Sequence, residues 1–182
     1  MTDYNADFAL WAEEQAAKLR AGKVTELDRD NIAEELESLA RALRRELVER
    51  LARLLQNLLQ WEYLDGLRLP VWYTAIQEER SMIPRLLEDA PSLDQNRHET
   101  YTQAWDIARE NARNTAGLAA VVLPRECPYS RERALAVTFW PGLGDGAVRK
   151  VDAASEAARW LANLGGTQPG VEGAPRRRQE RD

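Results

Sequence analysis

Large apolar residues recur every three or four positions through most of this chain, the period of α-helices that pack along one side. Tyr4, Phe8, Trp11 and Leu19, with Gln15 between them, share one face of a first helix. It stops at Gly22, where glycine suits the left-handed position after a helix end, and Lys18 and Arg20 complement the negative end of the helix dipole. The strongest series is Ile32, Leu36, Leu39, Leu43, Leu47, Leu51, Leu54 and Leu58. It predicts one long helix, started by Asp28 or Asp30 and running to Leu64, roughly 50 Å at 1.5 Å per residue. Glu37 with Arg41, Glu46 with Arg50 and Glu49 with Arg53 place the acid four residues ahead of the base, the favoured helical order. The apolar stripe widens through Leu54, Leu55, Leu58, Leu59 and Trp61, so that end is expected to be the centre of the core.

A third series runs Trp72, Ile76, Ile83, Leu87 and Ala90, with Pro84 inside it. Proline lacks an amide hydrogen and clashes with the preceding turn, which predicts a kink or a restart near Ser81. Ser92 and Gln95 have the spacing of a capping box and open a fourth helix through Tyr101, Ala104, Trp105, Ala108 and Ala112 to Gly117. From Leu118 to Gly146, prolines and GLGDG predict a wrapping segment with one short helix near Arg131 to Ala136. Val122, Leu123, Tyr129, Phe139 and Trp140 anchor it. A last helix, Ala147 to Leu164, offers only the thin stripe Val148, Val151, Ala158 and Leu161, and the tail from Gly165 reads as disordered. The expectation is therefore an all-α helical bundle around one long central helix over residues 1–141. A linker with an extra amphipathic helix follows over 142–164, then a disordered tail over 165–182.

Composition narrows the function classes. The chain has 182 residues, 44% of them hydrophobic, enough for one core without staples. With 25 Lys and Arg against 30 Asp and Glu, the formal charge of -5 disfavours a broad phosphate-binding surface. The single cysteine, Cys127, excludes an intramolecular disulfide, and no apolar run is long enough to cross a bilayer. The opening MTDYNADF lacks the pattern of a signal peptide, so a cytoplasmic location is expected.

Several separate pieces then come together: Tyr4, Asp7, Phe8 and Trp11, the run LRAG, the segment LDRDNIAEELESLA, the helix end LLQNLLQW, a later PSL, and PRECPYS. In this order, over residues 4 to 141, the chain resembles the bacterial family catalogued as domain of unknown function 29. The resemblance implies an all-helical fold and no particular activity. Where such chains more often read LLxHLLKW, this one has Asn57 and Gln60, so imidazole or ammonium chemistry at those positions does not carry over. Pro84 is not part of the family pattern either.

Candidate chemistry is thin. Glu34 and Glu37 share a helical face, and with Glu35 they form an acidic cluster of the kind that holds Mg2+ through oxygen ligands. Acids near a helix start are also favourable in themselves, and that plainer account is preferred. Some helical nucleotide pyrophosphatases add a Glu-x-x-Asp on a neighbouring helix; here Glu62 and Asp65 lie on the same helix, about 40 Å away by the rise per residue. An antiparallel dimer would be needed to reunite them. His98 is the sole histidine and is expected on a solvated face. Cys127, with Arg125 and Arg131 nearby, would be reactive only if a cation lowered its pKa, and a packed thiol is the better expectation. The arginines of the long helix are interleaved with glutamates, which leaves Arg176, Arg177 and Arg178 in the tail as the one weak phosphate contact. The six tryptophans read as core anchors.

The leading expectation is a non-catalytic protein-interaction module, a homo-oligomer or the partner of another protein, with no cofactor and no membrane contact. The alternative is a divalent-cation-dependent hydrolase, acting on nucleotides, that uses Glu34, Glu35 and Glu37 with Mg2+.

Overall fold

The computed structural model describes residues 3–64, 66, 68–115, 118 and 121–142. The expected last helix, the tail and its three arginines lie outside these residues, as do Asp65 and Gly117. Among the described residues there are five α-helices and no strand: α1 Phe8–Arg20, α2 Arg29–Tyr63, α3 Pro70–Asp89, α4 Arg97–Arg113 and α5 Arg131–Leu135. None of them is long and apolar enough to cross a membrane.

The spine is α2, whose 35 residues extend about 52 Å. Its second half is the core. Leu47, Leu51, Leu54, Leu55, Leu58, Leu59 and Trp61 are all essentially inaccessible, each leucine contributing about 2 kcal/mol of burial. Two helices cover this half. Tyr73 lies near Trp61 and Glu79 reaches Arg50 and Arg53, so α3 runs antiparallel to α2. Gln60 donates to the Thr115 hydroxyl just past the end of α4, and Asn96 and Thr100 share a cleft with Arg44 and Leu47, so α4 runs parallel to α2. Ile76 and Ile83 of α3 and Ala104, Trp105, Ala108 and Ala112 of α4 fill the space between. Alanines on α4 allow the close approach that the larger leucines of α2 need.

The segment after α4 wraps the free end of this three-helix bundle. Leu123 and Tyr129 are buried, Phe139 and Trp140 half-buried, and Val122, expected as an anchor, is exposed. Arg80 of α3 holds this wrap. Its guanidinium donates to the carbonyls of Ala134 (2.9 Å) and Phe139 (2.6 Å) and lies 5.1 Å from the centre of the Trp140 ring. Trp140 in turn stacks on Tyr73 at 5.0 Å and meets Trp61. The Tyr129 hydroxyl donates to the Glu62 carboxylate at the end of α2.

Four local expectations are corrected. The helix does not restart at Pro84: α3 runs unbroken, pinned to the core by Ile76, Glu79, Arg80 and Ile83 before the proline and by half-buried Leu86 and Leu87 after it. Ser92 and Gln95 form no capping box; the Gln95 amide donates to the Ser92 carbonyl, closing a 3-10 turn over Pro91–Asp94, and α4 starts after Asn96. Glu49 does not pair with Arg53, because Glu79, 1% exposed, offers a dry carboxylate to which Arg53 (2.6 Å) and Arg50 (3.2 Å) both donate. A desolvated acid is a stronger partner than an exposed one on the same helix. Asp28 precedes α2 but does not cap it with its side chain, which instead accepts from Trp11 Nε1 (3.2 Å) and Asn31 Nδ2 (2.8 Å).

The last correction concerns α1. Gly22 (φ 69°) ends it in the left-handed region, as the sequence predicts, but the helix starts at Phe8, capped by the Asp7 side chain, and leaves out Tyr4, with which the apolar series opens. It folds back antiparallel to the first turns of α2 and touches them at two places: Trp11 and Gln15 at Asp28, and Tyr4 at Glu35. Trp11 and Gln15 are buried, whereas Phe8 and Leu19 of the same apolar face stay exposed.

Candidate interaction surface

Between the hairpin made by α1 and the three-helix bundle, no described helix covers the apolar stripe of α2 at Leu36 and Leu39. The leucine stripe that is covered from Leu47 onward is not covered before it: Leu36 is 64% exposed and Leu39 60%, and Leu43 is half-buried. These residues continue the line of Leu47, Leu51, Leu54 and Leu58, so the helix presents one apolar stripe with an open stretch along its length. Local forces keep the open stretch helical. Residues 33–45 are almost all Ala, Glu, Leu and Arg, the best helix formers, and Glu37 pairs with Arg41 at 3.5 Å. Phe8 adds a further exposed ring, stacked on Trp11 at 5.7 Å, beside the point where Tyr4 meets Glu35.

The charges along this stretch change sign. Asp28, Asp30, Glu34, Glu35 and Glu37, with Arg29 among them, precede Leu39, and Arg41, Arg44 and Arg45 follow it, with no acid between Glu37 and Glu46. Glu34 and Glu37 are exposed, while Glu35 accepts from the Tyr4 hydroxyl, a bond that pushes the Tyr4 pKa up. The acidic cluster therefore has one member engaged in holding α1. Among the described residues, no three of His, Cys, Asp and Glu converge as a metal site would require. Glu62, too far along the same helix to join that cluster within one chain, accepts from the Tyr129 hydroxyl. Asn57 and Gln60 are buried and hydrogen-bonded, to the Arg53 carbonyl (2.7 Å) and the Thr115 hydroxyl (2.9 Å).

Cys127 lines a cleft of about 680 Å3 between α4 and the wrap, together with His98, Tyr101, Trp105 and Arg131. The thiol donates to the Tyr101 hydroxyl (3.6 Å), which donates to the Tyr129 carbonyl (3.1 Å); Trp105 Nε1 donates to the Arg125 carbonyl (3.0 Å). Burial pushes the Cys127 pKa up, the opposite of what a nucleophilic thiolate needs. Arg131 is committed to Asp94 at 2.6 Å, and His98 is exposed. PRECPYS thus fastens the wrap to α4. A second cleft of about 700 Å3 has Arg41, Arg44 and Arg45 on one wall and Gln95, Asn96 and Gln103 opposite.

Periodicity marks Leu36 and Leu39 as apolar-face residues but carries no signal that they stay exposed. Their exposure was missed for that reason.

Residues 4–140 match the family described as "Domain of unknown function DUF29", and the chain belongs to that family. No curated protein and no solved structure matches it.

Proposed function

We propose that this member of the family is a non-catalytic protein-interaction module and that the open leucine stretch of α2 is its binding surface. The observation that carries this reading is the contrast within one stripe: Leu36 and Leu39 are 64% and 60% exposed, while Leu47 to Leu58 on the same stripe are at most 1% exposed. Contiguous exposed apolar side chains on a structured helix are costly to leave in water and mark contact sites. An amphipathic helix with its apolar face open is also a common partner in helix recognition.

Replacing both Leu36 and Leu39 by Asp tests the reading. The variant should fold with unchanged stability and lose association, seen by light scattering for self-association and by capture from cell extract for another protein. A lone monomer that captures nothing in its wild-type form would remove the basis for this function. The hydrolase alternative using Glu34, Glu35, Glu37 and Mg2+ has no observation in its favour beyond the acids themselves. Thermal unfolding of wild type and of Glu34→Gln/Glu37→Gln with and without Mg2+ tests it, since a site-specific shift would revive it.

A further inference from the structure

We propose that the cleft between α2 and the start of α4 binds a small sugar phosphate, with Arg41, Arg44 and Arg45 holding the phosphate. The site lies on the other side of α2 from Leu39, so it goes beyond the interaction reading and is tested separately from it.

Helix geometry sets the arginines together. At 100° per residue Arg41, Arg44, Arg45 and Val48 fall within about 100° of one another, and the three arginines lie about 120–160° round the helix from Leu39. That face forms one wall of the cleft of about 700 Å3, a size suited to a small organic molecule. Among the described residues, Arg44 and Arg45 form no ion pair, and Arg41 has only its exposed contact with Glu37 at 3.5 Å. Like charges three and four residues apart repel along a helix, a cost that a bound anion reverses.

The rest of the lining selects the anion. Guanidinium forks match phosphate, whose three acceptor oxygens can take donors from several arginines at once. Arg50 and Arg53, the next arginines along α2, are taken by Glu79, so the free cations suffice for one phosphate group and not for a nucleic-acid backbone. The opposite wall carries the neutral hydrogen-bonding groups of Gln95, Thr100 and Gln103. Glu49 and Glu99 also line the cleft, and neither pairs with an arginine among the described residues, which leaves both as acceptors for hydroxyl groups. Buried Val48 and half-buried Leu93 and Ile107 add apolar surface for a carbon skeleton. A bare phosphate engages only the arginine wall, whereas a sugar phosphate engages both.

Titration of the full chain at low salt, followed by 1H–15N NMR, tests this with ribose 5-phosphate and adenosine 5'-monophosphate, and with ribose and inorganic phosphate as controls. At least one of the two esters should bind with a Kd below about 1 mM, and each control at least about tenfold more weakly. The shifted amides should cluster in residues 41–49 and 95–103. Arg44→Gln/Arg45→Gln should weaken ester binding about tenfold or more, with helix content by circular dichroism unchanged. Arg44→Lys/Arg45→Lys, which keeps the charge and loses the fork, should recover only part of it. Gln95→Ala/Gln103→Ala should weaken the ester and leave inorganic phosphate as it was. No binding of either ester at about 5 mM overturns the proposal, as does ribose binding as tightly as its phosphate. An affinity indifferent to Arg44→Gln/Arg45→Gln overturns it too. So does inorganic phosphate binding as tightly as both esters, since the second wall then takes no part.

Discussion

Arg80 decides whether the wrap over the end of the bundle is held by its buried cation or in spite of it. The side chain is 4% exposed, has no carboxylate partner among the described residues, and its Nη1 finds no protein acceptor. Burial lowers its pKa from 12.5 to about 10. Taken at ~1.4 kcal/mol per unit, carrying the charge inside costs about 3 kcal/mol. Against this stand two charge-assisted hydrogen bonds, to the Ala134 and Phe139 carbonyls, together about 3–6 kcal/mol. The contact with Trp140 adds about 1 kcal/mol.

Arg80→Met removes the cost of the charge but leaves both carbonyls dry, at about 1–3 kcal/mol each. The balance predicts a net loss of about 2 kcal/mol, a fall of roughly 4–8 °C in Tm for a chain of this size. Arg80→Lys keeps the charge, but one ammonium does not span both carbonyls, so it should lose about as much. Thermal unfolding gives the totals. Hydrogen exchange gives the location: the amides of Ala136 and Phe139, which close the turns after α5, should exchange faster while α2 is unchanged. A Met variant as stable as wild type, or more so, would refute the reasoning and show the guanidinium to be a net burden.

Three further outcomes follow from single side chains. Leu58→Ala should cost about 2–5 kcal/mol in urea unfolding, whereas Leu36→Ala, the same change on the same stripe, should stay within about 0.5 kcal/mol. Equal losses would mean that the open stretch is covered. Cys127 should react with a thiol reagent near pH 8 far more slowly than in the unfolded chain, because burial raises its pKa; equal rates would contradict the packing against Tyr101. Asp28 has a folded pKa below 3.8, lowered first by the Asn31 amide and then by Trp11. Its stabilising contribution is thus full at neutral pH and is lost only as pH falls through that lowered value. The Trp11 indole proton signal should shift in step, and a shift centred above pH 4 would exclude the bond.

Some of this architecture is legible in the chain without coordinates, and the reason is geometric. A 3.6-residue period over Leu47 to Trp61 can be satisfied only by a helix covered on most sides, and the widening of that stripe marks the core before any partner helix is known. Gly22 is read correctly because a left-handed residue after a helix end is a local requirement. Pairings that depend on a third element are not local. Glu49 has the right spacing for Arg53, but Glu79 arrives from α3 without water and wins. Pro84 has the residue type of a helix break, but the core on both sides holds the helix together.

The same distinction explains the functional surface. Ile32 to Leu51 is one narrow stripe, and nothing in it separates the part that is covered, from Leu47 onward, from the part that is not. Coverage depends on where α3 and α4 end. The turn at Pro91–Asp94 sends the chain from α3 back into α4 close to Arg44 and Leu47, and α1 reaches only as far as Glu35. The uncovered stretch falls between those limits, where helix propensity keeps α2 intact without packing. A helix whose folding needs no cover there, yet whose apolar face continues unbroken through it, has its surface chemistry set by something outside the monomer's own core. That is the physical ground for reading Leu36 and Leu39 as contact residues.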